Sequence, residues 1–150
     1  MPTKVFDERN IDWHPIDGFD HILYHVCRVD EENGIVDVLF KFDAESKIAV
    51  HRHMVDYCTL VLQGELRIYS PEGSLREIRP VGSYVCTRGG GEPHTEGGGD
   101  QEAIVFFSNR NVKNIVYEIL DESRHVITTL GIPEFKAFRE TQKTALKTAV

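Results

Sequence analysis

Two histidines one residue apart, His51 and His53, are the residues with the clearest chemical potential in this sequence. They belong to the stretch "AVHRHMVDYCTLVLQGEL" (residues 49–66), which is rich in residues that favour β-strands. Side chains two positions apart on a strand point to the same face of a sheet. The spacing therefore predicts that both imidazoles face the same space.

A third histidine, His94, follows the glycine-rich stretch "RGGGEP" (88–93) and is predicted to lie on a later short strand. For any single histidine, a surface or core position is the ordinary interpretation. Two imidazoles from one strand and a third from another can instead bind one metal ion, because metal–nitrogen bonds of about 2.1 Å require such convergence. We therefore predict a metal site formed by His51, His53 and His94, with coordination positions left free for a substrate.

The elements that position these histidines are predicted to be short strands separated by close turns. In residues 36–42 the apolar side chains alternate, which places Val36, Val38, Phe40 and Phe42 on one face. Many short strands without intervening helices are typical of an antiparallel sandwich or barrel. The predicted strands span residues 21–29, 34–42, 46–53, 57–62, 65–70, 82–88, 92–97, 102–109 and 112–120.

The end of the chain has a different pattern. It continues from "GIP" at 131–133, and proline suits the first turn of a helix. Phe135 and Phe138 fall on one helical face, which Gln142 interrupts. We predict one helix over about residues 133–148, packed on the sheet or against a partner subunit, and a single domain spanning 1–150 whose sandwich or barrel occupies about 20–120.

Composition excludes several classes of protein. The chain has 150 residues, 41% of them hydrophobic, and a net charge of −7, which argues against a nucleic-acid-binding surface. The longest apolar run, "AIVFF", is far below the roughly 20 residues that span a bilayer. The first residues, "MPTKVFDERN", lack the apolar region of a signal peptide.

Cysteine usage bears on the compartment. The chain has three cysteines, Cys27, Cys58 and Cys86, each in a strand-like segment. An odd number in such positions predicts buried free thiols in a reducing compartment. Together with the composition, this pattern predicts a soluble cytoplasmic protein.

The two histidine segments resemble the motifs of the cupin superfamily. "HRH" followed by "VLQG" (61–64) resembles the first motif, and Gly82 through His94 resembles the second. The second motif departs from the family pattern, because Thr87 or Arg88 stands where proline is usual and the loop is one residue longer. Pro93 partly restores its rigidity. The resemblance implies an all-β fold, a small cupin β-barrel (jelly roll) with the metal inside its mouth, and a homodimer.

Tyr57 marks a second departure from the cupin pattern. That pattern has a glutamate ligand seven residues before the turn glycine, and counting back from Gly64 gives Tyr57. The chain therefore resembles the three-histidine cupins, in particular 2,4'-dihydroxyacetophenone dioxygenase and acetylacetone-cleaving dioxygenase. This resemblance implies that Fe(II) and O₂ cleave a carbon–carbon bond in a small diketone or hydroxyketone.

The ligand types leave alternatives open. Imidazoles also suit Zn(II) and Ni(II), so a non-catalytic zinc-binding cupin sensor or binding module is a second hypothesis. A metal-dependent isomerase or lyase, which would turn over without O₂, is a third. Three neutral imidazoles would leave the charge of a divalent ion uncompensated, which favours an anionic bidentate substrate such as an enolate.

Five further residues are candidates for the pocket or for orienting the ligands. Tyr57 is expected to form a wall with an available hydroxyl, and Thr59 shares its strand face. Arg88 either contacts an anionic substrate or is a solvated loop residue. Glu92 and Glu96 are near enough in sequence to orient an imidazole, although for Glu96 we favour a solvated turn residue that precedes "GGG".

Overall fold

The computed structural model describes residues 6–149, which form twelve β-strands followed by one α-helix. The strands are β1 (His14–Ile16), β2 (Phe19–Asp30), β3 (Ile35–Phe42), β4 (His51–His53), β5 (Asp56–Gln63), β6 (Glu65–Tyr69), β7 (Leu75–Pro80), β8 (Tyr84–Thr87), β9 (Thr95–Gly98), β10 (Ala103–Arg110), β11 (Ile115–Leu120) and β12 (Val126–Gly131), and the helix is α1 (Ile132–Ala149).

The strands form three antiparallel sheets. The largest has six strands in the order β1-β2-β3-β10-β5-β8, and the two smaller sheets have the orders β12-β11-β4 and β7-β6-β9. The predicted all-β jelly roll with a C-terminal helix is confirmed. The sheets do not close into one continuous barrel, however, because each keeps strands at its edges.

The core lies on the inner face of the six-stranded sheet. Val36, Val38, Phe40 and Phe42 are all buried, as their alternation predicts. β10 lies between β3 and β5, and its Phe107 packs edge-on against Phe40 with the ring centroids 5.3 Å apart. This packed layer supports the strands that carry the histidines.

Three strands have no counterpart among the predicted ones. β1 is only three residues long, and in β7 only Arg79 is buried, so the apolar alternation that marks a half-buried strand is absent there. In β12 only Gly131 is buried. Pairing with β2, β6 and β11, rather than local pattern, defines these strands.

The C-terminal helix packs on its own chain. Phe135 is fully buried, and Phe138 stacks on Tyr24 with the ring centroids 4.4 Å apart. Gln142, which interrupts the apolar face, is buried because its side chain accepts a hydrogen bond from the Val26 amide (2.6 Å) and donates one to the Val26 carbonyl (3.1 Å). Gln142 thereby pairs the backbone amide and carbonyl of Val26, which lie on the edge of β2 beyond the end of β1. Among the described residues, no helix has the length and apolar character needed to cross a membrane.

The prediction of three buried free thiols is wrong. Cys58 and Cys86 form a disulfide between β5 and β8, and Cys27 is free but exposed. Cys58 and Cys86 are directly opposite each other in antiparallel strands, so their side chains share the outer face of the sheet. The cysteine pattern therefore does not support the inference of a reducing compartment.

Candidate metal centre

The alternation of "HRH" in β4 turns two imidazoles inward. His51 and His53 are 4% and 5% exposed, whereas Arg52 points outward and pairs with Glu118 across 3.2 Å. β4 pairs with β11, which places Tyr117 directly opposite His53. Both imidazoles therefore face the same interior space, as the spacing predicts.

A backbone bridge brings His94 to this pair. The amide of His51 donates to the carbonyl of His94, and the amide of His94 donates to the carbonyl of His51, both at 2.9 Å. The glycines before His94 let this loop lie close to β4. The Gly90 amide donates a hydrogen bond to the His53 carbonyl at 2.8 Å. A Cβ atom on Gly89 would lie only 2.5 Å from the Val55 backbone. Any larger residue at position 89 would push this loop away from β4.

Glu96 is the fourth member of the cluster, and the expectation that it is a solvated turn residue is wrong. It lies in β9, is 3% exposed, and follows His94 by two positions, so both side chains point inward. Its carboxylate oxygens lie 3.4 Å from His51 Nε2 and 3.6 Å from His94 Nε2. The carboxylate that is absent at Tyr57 is therefore supplied from a different strand.

The four side chains fit a divalent metal ion. One ligand atom from each of His51, His53, His94 and Glu96 lies within 4.8 Å of all the others, and the two Nε2 atoms of His53 and His94 are 3.2 Å apart. With metal–ligand bonds of about 2.1 Å, neighbouring ligand atoms lie about 3.0 Å apart around an octahedral ion and about 3.4 Å apart around a tetrahedral one. The contacts of 3.2, 3.4 and 3.6 Å match these separations.

Electrostatics within the cluster favour the ligating forms of Glu96 and His53, whereas His51 is shifted toward its protonated form. Burial alone would raise the pKa of Glu96, but the hydrogen bonds and charges of His51 and His94 outweigh it and hold the pKa well below its usual range. Burial, followed by the charge on His51, holds the pKa of His53 well below its ordinary value. Burial opposes protonation of His51 as well, but Glu96 and the Ala49 carbonyl raise its pKa. The carboxylate is thus ionised, and His53 is a neutral imidazole.

Two of the imidazoles are oriented in different ways. His51 Nδ1 contacts the carbonyl oxygen of Ala49 at 2.9 Å, which directs Nε2 toward the cluster. His53 Nδ1 is buried without a hydrogen-bond partner. The ring of Tyr57 stacks on His53 with a centroid distance of 3.9 Å and an interplanar angle of 10°.

Tyr57 is buried and packs against His53, but it does not line the cavity beside His51 and Glu96, so its prediction as a pocket wall is not confirmed. Its ring covers one face of the His53 imidazole and fixes the plane of that ring. Burial and then the charge of Glu96 raise the pKa of Tyr57 to about 12, so its hydroxyl stays protonated at neutral pH. Thr59, on the same strand face, is fully buried and accepts a hydrogen bond from the buried Arg79 at 3.0 Å.

Apart from Glu96, the other predicted pocket residues also lie outside the cavity lining. Arg88 and Glu92 are exposed in the loop before His94, and neither lines the cavity beside the cluster. Asp56 accepts a hydrogen bond from the Gly89 amide at 3.0 Å and so holds this loop. Nothing in the sequence marks Arg79 or Tyr117 as part of the site, because an isolated arginine or tyrosine within a strand carries no motif.

A cavity of about 50 Å³ lies against His51 and Glu96. Its other walls are almost entirely apolar and come from distant parts of the chain: Ile16, Phe19, Ile22, Phe40, Ile119 and Leu130. The cluster therefore presents a polar surface to one side of a small apolar chamber. The chamber thus combines one metal-binding wall with apolar walls, an arrangement that small-molecule sites in proteins share.

Sequence comparison now places this site in a family. The sequence profile of the ChrR cupin-like domain matches residues 2–113, about three quarters of the chain. The chain belongs to the ChrR cupin-like family. No curated protein sequence matches it significantly.

Solved structures share the cupin fold. An RmlC-like cupin from Ralstonia eutropha superposes with a TM-score of 0.74 and 17% identity, over 97% of this chain and 89% of that protein. Acetylacetone dioxygenase from Acinetobacter johnsonii gives 0.69 and 17%, over 95% and 92%. The DMSP lyase DddQ from Ruegeria pomeroyi gives 0.57 and 14%, over 73% and 60%. At these identities the likeness concerns the fold alone.

Proposed function

We propose that this protein is a metal-dependent cupin dioxygenase that uses Fe(II) and O₂ to cleave a carbon–carbon bond in a small diketone or hydroxyketone. The observation that carries the proposal is the cluster of His51, His53, His94 and Glu96 facing a small apolar cavity. The fold that the chain shares with acetylacetone dioxygenase supports the choice of substrate class.

Glu96 modifies the electrostatic argument for this substrate. Three neutral imidazoles and one carboxylate would leave a net charge of +1 on a divalent ion, rather than the +2 expected from three histidines. A monoanionic enolate would bring the complex to neutrality, which favours its burial in an apolar chamber. A six-coordinate ion held by four protein ligands would keep two positions open, for oxygen atoms of the substrate or for O₂.

Each part of the site has a role in this proposal. The three histidines and Glu96 would hold the ion, which supplies Lewis acidity and a redox partner for O₂. The apolar walls bind the carbon skeleton and exclude water. Tyr57 keeps the His53 ring in its ligating plane, and because its hydroxyl stays protonated it can donate a hydrogen bond but does not act as a base.

Anaerobic loading with Fe(II), followed by O₂-electrode assays, tests the proposal. Diketones and aryl hydroxyketones are offered separately, and ¹⁸O₂ is used to trace product oxygen. We expect substrate-dependent consumption of one O₂ per substrate, with both oxygen atoms in the cleavage products. A protein that retains iron but consumes no O₂ with any of these substrates would refute the dioxygenase and leave the metal site intact.

A specific observation favours a second candidate, a non-catalytic zinc-binding module. Structural zinc sites are four-coordinate and closed, and Glu96 supplies the fourth ligand of such a set. Zinc bound on native purification, with no turnover of any tested substrate, would favour this candidate. A lyase or isomerase, as the shared fold with a DMSP lyase suggests, would form product under strictly anaerobic conditions.

Three further expectations belong to the same proposal. We propose that the protein is cytoplasmic, acts as one domain, and forms a homodimer without nucleic-acid or membrane partners. Exposed apolar side chains on β7, β8 and the turn between them, including Val81 (62%) and Tyr84 (68%), support a protein partner. Light scattering coupled to size-exclusion chromatography should give twice the 17.1 kDa chain mass.

A further inference from the structure

Three buried polar atoms without a hydrogen-bond partner belong to residues packed together around His53. They are His53 Nδ1, Asn109 Oδ1 and Tyr117 Oη. Within the described part of the chain, the only other such side-chain atom is Gln63 Oε1, on a residue that contacts Glu102 at the end of β5. Buried polar groups in folded proteins are nearly always paired, so this concentration around one ligand requires an explanation.

The fold places the three residues next to one another. Tyr117 is the cross-strand partner of His53, and their rings are 5.2 Å apart at the centroids. Asn109 is the cross-strand partner of Tyr57, whose ring stacks directly on His53. The Asn109 side chain also acts on the Tyr117 hydroxyl: burial raises the pKa of Tyr117, and the nearby amide lowers it in part.

The donors and acceptors of the three groups are complementary. His53 Nε2 faces the cluster, so a neutral imidazole that ligates through Nε2 carries its proton on Nδ1 and needs an acceptor. A tyrosine hydroxyl accepts one hydrogen bond and donates another. The amide nitrogen of Asn109 already donates to the Val36 carbonyl at 3.0 Å, which leaves its oxygen as an acceptor.

We propose that Tyr117 and Asn109 are positioning residues for the metal ligand His53: a hydrogen-bond chain runs from the Nδ1–H group of His53 to the Tyr117 hydroxyl and on to Asn109 Oδ1. Because none of the three atoms has a direct partner among the described residues, ordered water bridges the links. This hydrogen-bond chain would fix both the tautomer and the orientation of the His53 ring. The proposal rests on the proposed metal site, because ligation through Nε2 of His53 is what requires the proton on Nδ1.

His51 shows why this arrangement matters for the site. Its Nδ1 is held by the backbone carbonyl of Ala49, a contact that no side-chain substitution removes. His53 has no such backbone partner, so its orientation depends on side chains of two other strands. Removal of the Tyr117 hydroxyl or the Asn109 amide would therefore act on His53, while the contact of His51 Nδ1 with the Ala49 carbonyl stays in place.

Tyr117→Phe tests the proposal, because it removes only the hydroxyl. Tyr24→Phe is the matched control: Tyr24 is 2% exposed and packs against Phe138, away from the cluster. We expect the zinc dissociation constant to rise about 10- to 100-fold in Tyr117→Phe and less than about twofold in Tyr24→Phe. Equal zinc affinity in Tyr117→Phe and wild type would overturn the proposal.

Nuclear magnetic resonance of ¹⁵N-histidine protein separates this inference from the metal site. Two-bond ¹H–¹⁵N correlations report which ring nitrogen of His53 carries the proton, in metal-free and zinc-loaded protein. We expect an Nδ1–H proton that is protected from exchange in wild type and exchanges faster in Tyr117→Phe. A His53 tautomer protonated on Nε2 in the zinc-loaded protein would refute the proposed hydrogen-bond chain. So would an Nδ1–H signal that Tyr117→Phe leaves unchanged. A wild type that binds no metal would refute the proposed function instead.

Discussion

Glu96→Gln is the most informative single substitution at the cluster. It preserves the shape of a side chain that is 3% exposed, and it replaces an anionic oxygen by a neutral amide. The carboxylate lies 3.4 and 3.6 Å from two imidazole nitrogens, which is the spacing of ligands around one ion. Loss of a residue that only orients a ligand already weakens metal affinity about 10- to 100-fold, so loss of a charged ligand should weaken it by about 100-fold or more, or about 3 kcal/mol.

The assay is anaerobic competition for Fe(II) or Zn(II) against a chromophoric chelator. Glu118→Gln is the matched control, because Glu118 lies on the neighbouring strand, faces outward and pairs with Arg52. We expect wild-type affinity in Glu118→Gln and circular dichroism spectra that are unchanged in both variants. Wild-type affinity in a folded Glu96→Gln protein would refute Glu96 as a ligand and restore the three-histidine site.

Three other predictions follow from the same geometry. His53→Ala should abolish metal binding and leave a folded protein whose free energy of unfolding falls by about 1–3 kcal/mol, because the packing of the ring is lost. If the variant does not fold while the metal-free wild type is stable, His53 is mainly structural. Ala49 also lines the cavity, so Ala49→Phe should raise KM by narrowing it without changing metal affinity, while Ala49→Ser should leave both unchanged. A KM that phenylalanine leaves unaffected would place the substrate elsewhere. In the metal-free protein, the lowered pKa of Glu96 stabilises the fold above about pH 4.5, and this contribution is lost as the pH falls through the folded-state pKa. Glu96→Gln should therefore lower the Tm at pH 6 more than at pH 3. Equal shifts in Tm at the two pH values would refute this linkage.

Much of the fold follows from local pattern. The alternation of Val36, Val38, Phe40 and Phe42 predicts the buried face of β3, because strand periodicity does not depend on the partner strands. Proline at position 133 and the apolar residues after it predict the helix, whose bounds differ by one residue at each end. β7 and β12 escape prediction because their residues are mostly exposed and carry no period-two signal.

The sequence by itself determines that His51 and His53 share a face, because two residues of one strand have a fixed geometry. It also indicates, through the glycines before His94, that a third imidazole can approach β4 closely. Only the tertiary structure shows that Glu96 replaces the carboxylate absent at Tyr57, since the two positions lie on different strands.

The pairing of Cys58 with Cys86 and the grouping of Asn109 and Tyr117 around His53 are likewise decided by strand register. Register is a long-range property, because shifting a strand by one residue turns every side chain to the opposite face. The types of two or three ligands can thus be recognised from spacing, whereas the net charge of the site and the support of each ligand depend on how the strands are paired.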